Sequence, residues 1–359
     1  ALTDAAEIDP AEPVNQFTLS HPLLFNEKKT GTRAAWYVQD RIRVSEHLTV
    51  DLGLRFDYYD LLIHDRTLAP RLGAAYKVKR TNTVFRASYN RLVLSPPLEN
   101  VLLSSSPQAA LLSSANAASY SAVPAERQND FEVGFQQRAG RFVRLNVVHY
   151  FKDSKNFADD QQLFTTAVIF PVAIARGKLR GTEVRLDVTP VWGWTAYASY
   201  ANATAMLTSP LTGGLLIGNA EGPLLEPGQR FASDGDERNE LQFGVTYQHR
   251  SGAWFTFSGR HDSGIPTDFD PADFPGFDPR IQNELDPVRM RIKPRTIFNM
   301  AMGMELFRES RFPTALQLGV NNLTDRFYLY NFQSAFSGTH IGRPREVVGR
   351  LVFSWNRKK

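Results

Sequence analysis

Two stretches of this 359-residue chain gather side chains that could hold a ligand. The first, residues 262–293 (DSGIPTDFDPADFPGFDPRIQNELDPVRMRIK), places carboxylates at Asp268, Asp270, Asp273, Asp278, Glu284 and Asp286. Clustered carboxylates are what Ca²⁺ takes, at roughly 6 to 8 oxygens per ion. The spacing fails the EF-hand pattern, because Ala272 and Asp273 stand where an acid and a glycine are required. Prolines at 266, 271, 275, 279 and 287 stiffen the stretch without favouring helix or strand. No metal is assigned. A solvated loop is the plain reading, and Asp268, Asp270 and Asp273 are its candidate ligand contacts.

The second stretch, DRFYLYNFQSAFSGTHIGRPRE (325–346), carries Phe327, Tyr328, Tyr330, Phe332, Phe336 and His340. Aromatic faces beside polar groups suit a sugar or another flat ligand. They also suit a membrane-interface girdle or packing within the loop, the plainer readings. Tyr328, Tyr330, Phe332 and His340 are the candidate contacts. A third set, Arg55, Asp57, Arg86, Glu132, Glu183, Arg185, Asp187 and Arg350, recurs on one side of alternating segments. It reads as a hydrated wall whose charges pair. Catalysis would need a defined pair at working distance. The seven histidines are scattered, and no H-E-x-x-H, G-x-S-x-G, P-loop or G-x-G-x-x-G occurs. The chain reads as a non-enzyme without a cofactor.

What must position these residues is a set of long alternating segments. LTVDLGLRFDYY puts Leu48, Val50, Leu52, Leu54, Phe56 and Tyr58 on one side, with Asp51, Arg55 and Asp57 on the other. NDFEVGFQQR, GTEVRLDV and NELQFGVTYQH repeat the pattern with Phe131/Val133/Phe135, Val184/Leu186/Val188 and Leu241/Phe243/Val245/Tyr247. The spacing predicts about 13 strands: 33–44, 47–58, 70–79, 83–93, 127–138, 141–152, 178–189, 193–205, 237–249, 253–262, 295–307, 313–324 and 346–355. NQFTLSHPLLF (15–25) would supply a fourteenth. Many run longer than the usual globular strand of about 5–6 residues and fit a tilted bilayer crossing. Short turns at 45–47, 79–82, 138–140, 189–193, 249–253 and 308–313 alternate with long connections at 59–69, 94–126, 154–177, 206–236, 264–294 and 325–345. That rhythm is expected of an outer-membrane barrel with tight periplasmic turns and long outer loops.

Composition agrees. There is no cysteine, the formal charge is +4 from 41 basic and 37 acidic residues, and no basic cluster marks a nucleic-acid binder. No apolar run approaches the roughly 18 residues of a membrane helix, which is also what a barrel gives, since its lipid face uses alternate residues. ALTDAAEIDP has neither a basic start nor an apolar core. The expectation is that a leader has been removed or that the chain is part of a longer gene product.

Several segments resemble TonB-dependent receptors, the gated importers of the Gram-negative outer membrane. AAWYVQDRIRVSEHLTVDLGLRFDYYD resembles their mid-barrel signature, and LAPRLGAAYKV with TVFRASYNRLVLSPPLEN the next hairpin. RGKLRGTEVRLDVTPVWGWTAYASYANATA resembles a later hairpin with a Gly-x-Glu centre. LQLGVNNLTDRFYLYNFQSAFSGTHIGRPREVVGRLVFSW resembles the closing hairpin, with its Asn-Leu-Thr-Asp turn and Gly-x-Pro-Arg. The matches fall in family order over about 33–355 and are closest to members with a carboxypeptidase-regulatory-like N-terminal domain.

The resemblance implies an all-β antiparallel transmembrane barrel of about 22 strands around a plug, of which this chain supplies the last 13 or 14 without a plug. Residues 1–32 are expected to be an outer-loop segment or partial strand, 33–355 the barrel, and 356–359 a basic tail. Partners implied are outer-membrane lipid, the plug missing from this chain, the TonB energising complex acting through it, and a nutrient ligand. Some of the inward charges would touch the plug. Leu351, Phe353 and Trp355 would meet lipid, with Trp355 at the periplasmic interface, and Arg350 the lumen. A non-gated porin-like barrel and a soluble β-rich binding protein are the alternatives.

Overall fold

Period-two alternation becomes one antiparallel sheet. The computed structural model describes residues 26, 28–96, 102, 122–162, 169–214, 227–267, 276, 278–307, 312–334 and 338–354. In chain order the first strands are β1 (Thr32–Arg43), β2 (Leu48–Asp60), β3 (His64–Val78), β4 (Thr83–Leu94), β5 (Glu126–Ala139), β6 (Val143–Gln162), β7 (Ile169–Val191) and β8 (Trp194–Gly213). Next come β9 (Arg230–Ala232), β10 (Asn239–Gln248), β11 (Trp254–Asp262), a one-turn helix α1 (Pro279–Gln282), β12 (Leu285–Asp286) and β13 (Arg291–Ile292). The chain continues with β14 (Arg295–Leu306), β15 (Thr314–Asn321), β16 (Leu329–Ser334), β17 (Gly338–Ile341) and β18 (Glu346–Phe353).

The 14-stranded sheet runs β1-β2-β3-β4-β5-β6-β7-β8-β10-β11-β14-β15-β18, with β9 on β8. Each strand pairs with the next long one, which makes the topology a meander. The outer edges of β1 and β18 are unpaired among the described residues, so the sheet is of barrel type but not closed.

All thirteen expected strands are present, and each of the six short turns joins the pair it was assigned to. The other ends differ. Residues 59–69 are not a long loop: β2 runs on to Asp60, β3 starts at His64, and Leu61 to Ile63 alone make the turn. Likewise β6, β7 and β8 continue well past the expected boundaries, into 154–177 and 206–213. There the alternation of apolar with polar residues stops, and KDSKNFADDQQ is polar on both faces. Backbone pairing continues where the hydrophobic pattern has ended. Segment 15–25 and the tail from Trp355 on lie outside the described residues.

Register carries one apolar face across the sheet. Leu52 stands opposite Leu72, Tyr76 opposite Phe85, Phe85 opposite Phe135 and Phe131 opposite Phe151. Leu145 stands opposite Leu186, Val184 opposite Tyr200, Val245 opposite Phe257, Met302 opposite Leu318 and Leu316 opposite Leu351. Side chains alternate with period two, so every strand must keep this parity for the face to stay apolar. The face has no protein cover: Leu68, Leu72, Phe85, Phe131, Leu318 and Leu351 are all exposed. Contiguous apolar surface on this scale calls for another apolar medium.

Candidate functional site

The opposite face carries the charges. Register puts Arg55, Asp57, Arg86, Glu132, Glu183, Arg185, Asp187 and Arg350 on it together, each out of phase with the apolar residues of its own strand. Most of the charges have local partners. Arg55 forms a two-pronged bridge to Asp57, with both contacts at 2.7 Å. Asp187 accepts from Arg185 at 2.9 Å and Arg144 at 3.4 Å. Arg41 donates to Asp51 at 2.5 Å, and Arg86 to Asn146 at 2.5 Å. Exposed and half-exposed pairs of this kind contribute little to stability. Their work is to keep one face hydrated. Gly181 of the Gly-x-Glu motif has a close-packing reason: a Cβ there would lie 2.5 Å from the Tyr150 ring, so glycine lets that ring lie across β7.

At the short-turn end, Phe142, Trp192, Trp194, Phe307 and Phe312 are exposed. Aromatic rings favour the water–lipid interface. At the opposite level the apolar face ends in a polar belt. Thr182 stands opposite Asn202, Asn202 opposite Asn239, and His261 opposite Thr296. These groups satisfy one another: Asn202 Nδ2 donates to Asn239 Oδ1 at 2.9 Å, and His261 Nδ1 lies 2.8 Å from the Thr296 hydroxyl. Between girdle and belt lie Tyr247 to Leu241 on β10; on β2 the apolar run is longer, Leu48 to Tyr58. At about 3.4 Å per residue these runs fit a tilted crossing of hydrocarbon.

Beyond the belt the two candidate loops fold together into a cap. Ile281, Leu285, Ile292, Leu329 and Phe332 form a buried cluster, joined by Ile265 and Phe327. Arg295 fixes it to the sheet: buried, it donates from Nε to Asp262 at 2.9 Å and from a terminal nitrogen to the Leu329 carbonyl at 2.8 Å. Its guanidinium also sits 5.0 Å from the centre of the Tyr330 ring. Arg291 ties a third segment in, donating to the Asp236 and Gly264 carbonyls at 2.8 and 2.7 Å and bridging the buried Asp236 carboxylate.

The candidate aromatics divide. Tyr328 and Phe332 are buried in the cap, whereas Tyr330 and His340 are exposed with ring centroids 5.5 Å apart. The Tyr328 and Tyr330 hydroxyls are 3.1 Å apart. Burial, then the hydrogen bond to Tyr330, push the Tyr328 phenol up to about 12. Gly342 of Gly-x-Pro-Arg leaves the space this ring occupies, since a Cβ there would meet it at 2.1 Å.

Asp268, Asp270 and Asp273 lie outside the described residues. The described acids of that loop are engaged. Asp278 caps α1, accepting from the Arg280 amide at 2.8 Å. The Arg280 guanidinium, and then that amide, hold its carboxyl below the usual range. Glu284 bridges to Arg326 at 3.1 Å, and Asp286 accepts from the Val288 and Arg289 amides at 3.1 Å.

One acidic group escaped the sequence reading. Glu237, Glu240 and Asp262 bring carboxylate oxygens within 4.8 Å of one another. Asp262 is distant in sequence from Glu237 and Glu240, and meets them because β10 pairs with β11 at Glu240–Asp262. Arg260 and Arg295 bridge Asp262, and Glu237 accepts from the Gly264 amide at 3.0 Å. Burial and the neighbouring Asp262 charge raise the Glu237 carboxyl. The group is a carboxylate–guanidinium network.

A profile of the family described as TonB dependent receptor-like, beta-barrel matches residues 3–323. The chain belongs to the TonB-dependent receptor family. Solved structures share the fold at low identity. The FrpB iron transporter from Neisseria meningitidis (F5-1 variant) is 18% identical with a TM-score of 0.63, over 95% of this chain and 47% of its own. The copper transporter OprC is 15% identical with a TM-score of 0.62, over 90% and 47%. The ferripyoverdine receptor of the Pseudomonas aeruginosa outer membrane is 15% identical with a TM-score of 0.57, over 89% and 38%. The chain thus spans half or less of the TonB-dependent receptors it matches, and these are transporters and receptors, not enzymes. No curated protein matches at the sequence level.

Proposed function

We propose that this chain is the later part of the barrel wall of a gated importer in the outer membrane of a Gram-negative bacterium. The observation that carries this reading is the apolar band, bounded by aromatics at the short-turn end and by the Asn202–Asn239 and His261–Thr296 belt at the other. Lipid would cover that band. The polar face would line the lumen, with Arg55, Asp57, Arg86, Glu132, Glu183, Arg185, Asp187 and Arg350 facing a plug and passing solute. The edges of β1 and β18, unpaired among the described residues, support a larger barrel, of about 22 strands, to which residues 33–355 contribute.

In this reading the nutrient binds on the outer loops and plug, and TonB, pulling on the plug, opens the path. Tyr330 and His340, with Asp268, Asp270 and Asp273, are the proposed outer contacts, and Tyr328 and Phe332 support them from within the cap. A carboxypeptidase-regulatory-like domain at the N-terminus of the whole protein belongs to the same proposal. The related transporters of iron and copper make a scarce metal or its chelate the first cargo to test.

Membrane fractionation with heat-modifiable gel mobility tests the placement. The protein is expected in the outer-membrane fraction, extractable only with detergent and migrating faster unheated than boiled. Full solubility without detergent would sink the reading.

A further inference from the structure

At the short-turn end the apolar face is not flat. A groove of about 350 Å³ opens over β10, β11, β14 and β15, lined by aromatic, methionine and leucine residues. Pockets that hold one small ligand measure about 300–1,000 Å³. Register explains the recess. Tyr247, Phe255, Met302 and Leu318 form one rung across the four strands. In the next rung Met304 stands opposite Leu316. Ala253, just before β11, lies beside His249, whose amide donates to the Ala253 carbonyl at 2.8 Å. Alternation puts Ala253 on the face of Phe255, so the smallest side chain of that rung stands among larger ones and leaves the space. Methionines such as Met302 and Met304 adapt to an irregular apolar occupant.

The groove ends at the β10–β11 turn, His249-Arg250-Ser251-Gly252-Ala253, and no acid lines the groove or that turn. His249 Nδ1 accepts from the Ser251 amide at 3.2 Å, so a neutral ring carries its proton on Nε2. That nitrogen and the exposed Arg250 guanidinium have no partner among the described residues. The turn lies level with the aromatic girdle: the Trp194 ring is 4.7 Å from that of Tyr247, and exposed Phe307 follows β14. Such rings mark the headgroup level of a bilayer, where phosphates lie, and guanidinium–phosphate contacts are among the stronger hydrogen bonds. An apolar slot leading to two donors at that level matches an amphiphile with an anionic head.

We propose that this groove holds one phospholipid of the leaflet at the short-turn end, with an acyl chain beside Ala253 and Met304 and its phosphate on Arg250 and His249 Nε2–H. The inference rests on the proposed placement of this face against lipid. It goes beyond that placement in singling out one bound molecule from the surrounding bilayer.

Native mass spectrometry of the full-length protein released from detergent micelles tests it, with dioleoyl phosphatidylglycerol, dioleoylglycerol and glycerol phosphate as probes. One phosphatidylglycerol per protein is expected to bind. Dioleoylglycerol, which lacks the phosphate, and glycerol phosphate, which lacks the chains, are each expected to bind at least about tenfold more weakly. Arg250→Gln and Ala253→Leu, which fills the recess, should each weaken phosphatidylglycerol about tenfold. Arg80→Gln, in the short turn at 79–82, should leave it unchanged. Heat-modifiable mobility verifies folding of each variant, and the two substitutions act at separate parts of the groove, so one remains readable should the other misfold. A protein soluble without detergent would end the membrane reading itself. A detergent-extracted, heat-modifiable protein that retains no phosphatidylglycerol would overturn this inference alone. So would equal binding of dioleoylglycerol, indifference to both substitutions, or dimers in place of lipid-bound monomers, which would give the groove to a second copy.

Discussion

The band between girdle and belt and the cap beyond it are built on opposite principles. In the band, side chains alternate strictly, the large apolar ones are exposed, and no residue needs a distant partner beyond the next strand. In the cap, apolar residues from two loops are buried against each other around a buried arginine. The band relies on its solvent, the cap on itself. This contrast teaches that stability at the two ends should answer to different substitutions.

The largest effect is expected in the cap. Arg295→Ala removes a partner of the fully buried Asp262 and should cost about 3 kcal/mol locally. Faster proteolysis and amide exchange in 279–292 and 329–341 would register it, with band amides still protected. If band amides lost protection equally, the two regions would not be separable.

Next comes the band. Leu318→Arg on β15 should destabilise by about 2–4 kcal/mol in a bilayer, whereas Gln317→Glu, one residue away on the polar face and opposite Arg350, should change stability by less than about 1 kcal/mol. Urea unfolding from lipid vesicles measures both. Equal effects would remove the distinction between faces. A smaller change is expected from Tyr330→Phe. It deletes the hydroxyl contact to Tyr328, costs about 1 kcal/mol and lowers the Tyr328 phenol from about 12 while burial keeps it above the ordinary value. Ultraviolet difference titration follows that phenol.

The mildest expectation concerns the β6–β7 extension outside the belt. Burial, reinforced by Asp234, Asp160 and Glu126, pushes the half-buried Asp159 carboxyl up to about 6 despite the Asp160 amide donated to it. A carboxyl raised on folding is bound more favourably when protonated. Its contribution is therefore full below the ordinary value near 4 and lost as pH rises through about 6. Exchange protection of amides in 155–160 and 171–176, corrected for intrinsic rates, should fall between pH 4 and 7, and Asp159→Asn should flatten that dependence.

These regions also differ in how far the sequence reveals them. Leu48 to Tyr58 or Leu241 to Tyr247 declare a strand and its faces because lipid on one side and water on the other impose period two. Past the belt lipid no longer selects one face, so Asp153 to Gln162 carry no alternation although most of them pair with β7. His64, Asp65 and Arg66 hid the start of β3 in the same way. The cap was illegible for another reason: Ile281, Leu285 and Ile292 find Leu329 and Phe332 only after the sheet has set β14 and β15 side by side. The Glu240–Asp262 pairing is a product of register.

The central claim is that lipid covers the even-numbered face of β15. The chain has no cysteine, so single cysteines from Ala315 to Val320 can be spin-labelled and read in bilayers. Oxygen collisions are predicted to peak at 316, 318 and 320 and to fall at 315, 317 and 319, with a water-soluble nickel chelate showing the inverse. Uniform accessibility, or the chelate reaching 316 and 318, would contradict the account.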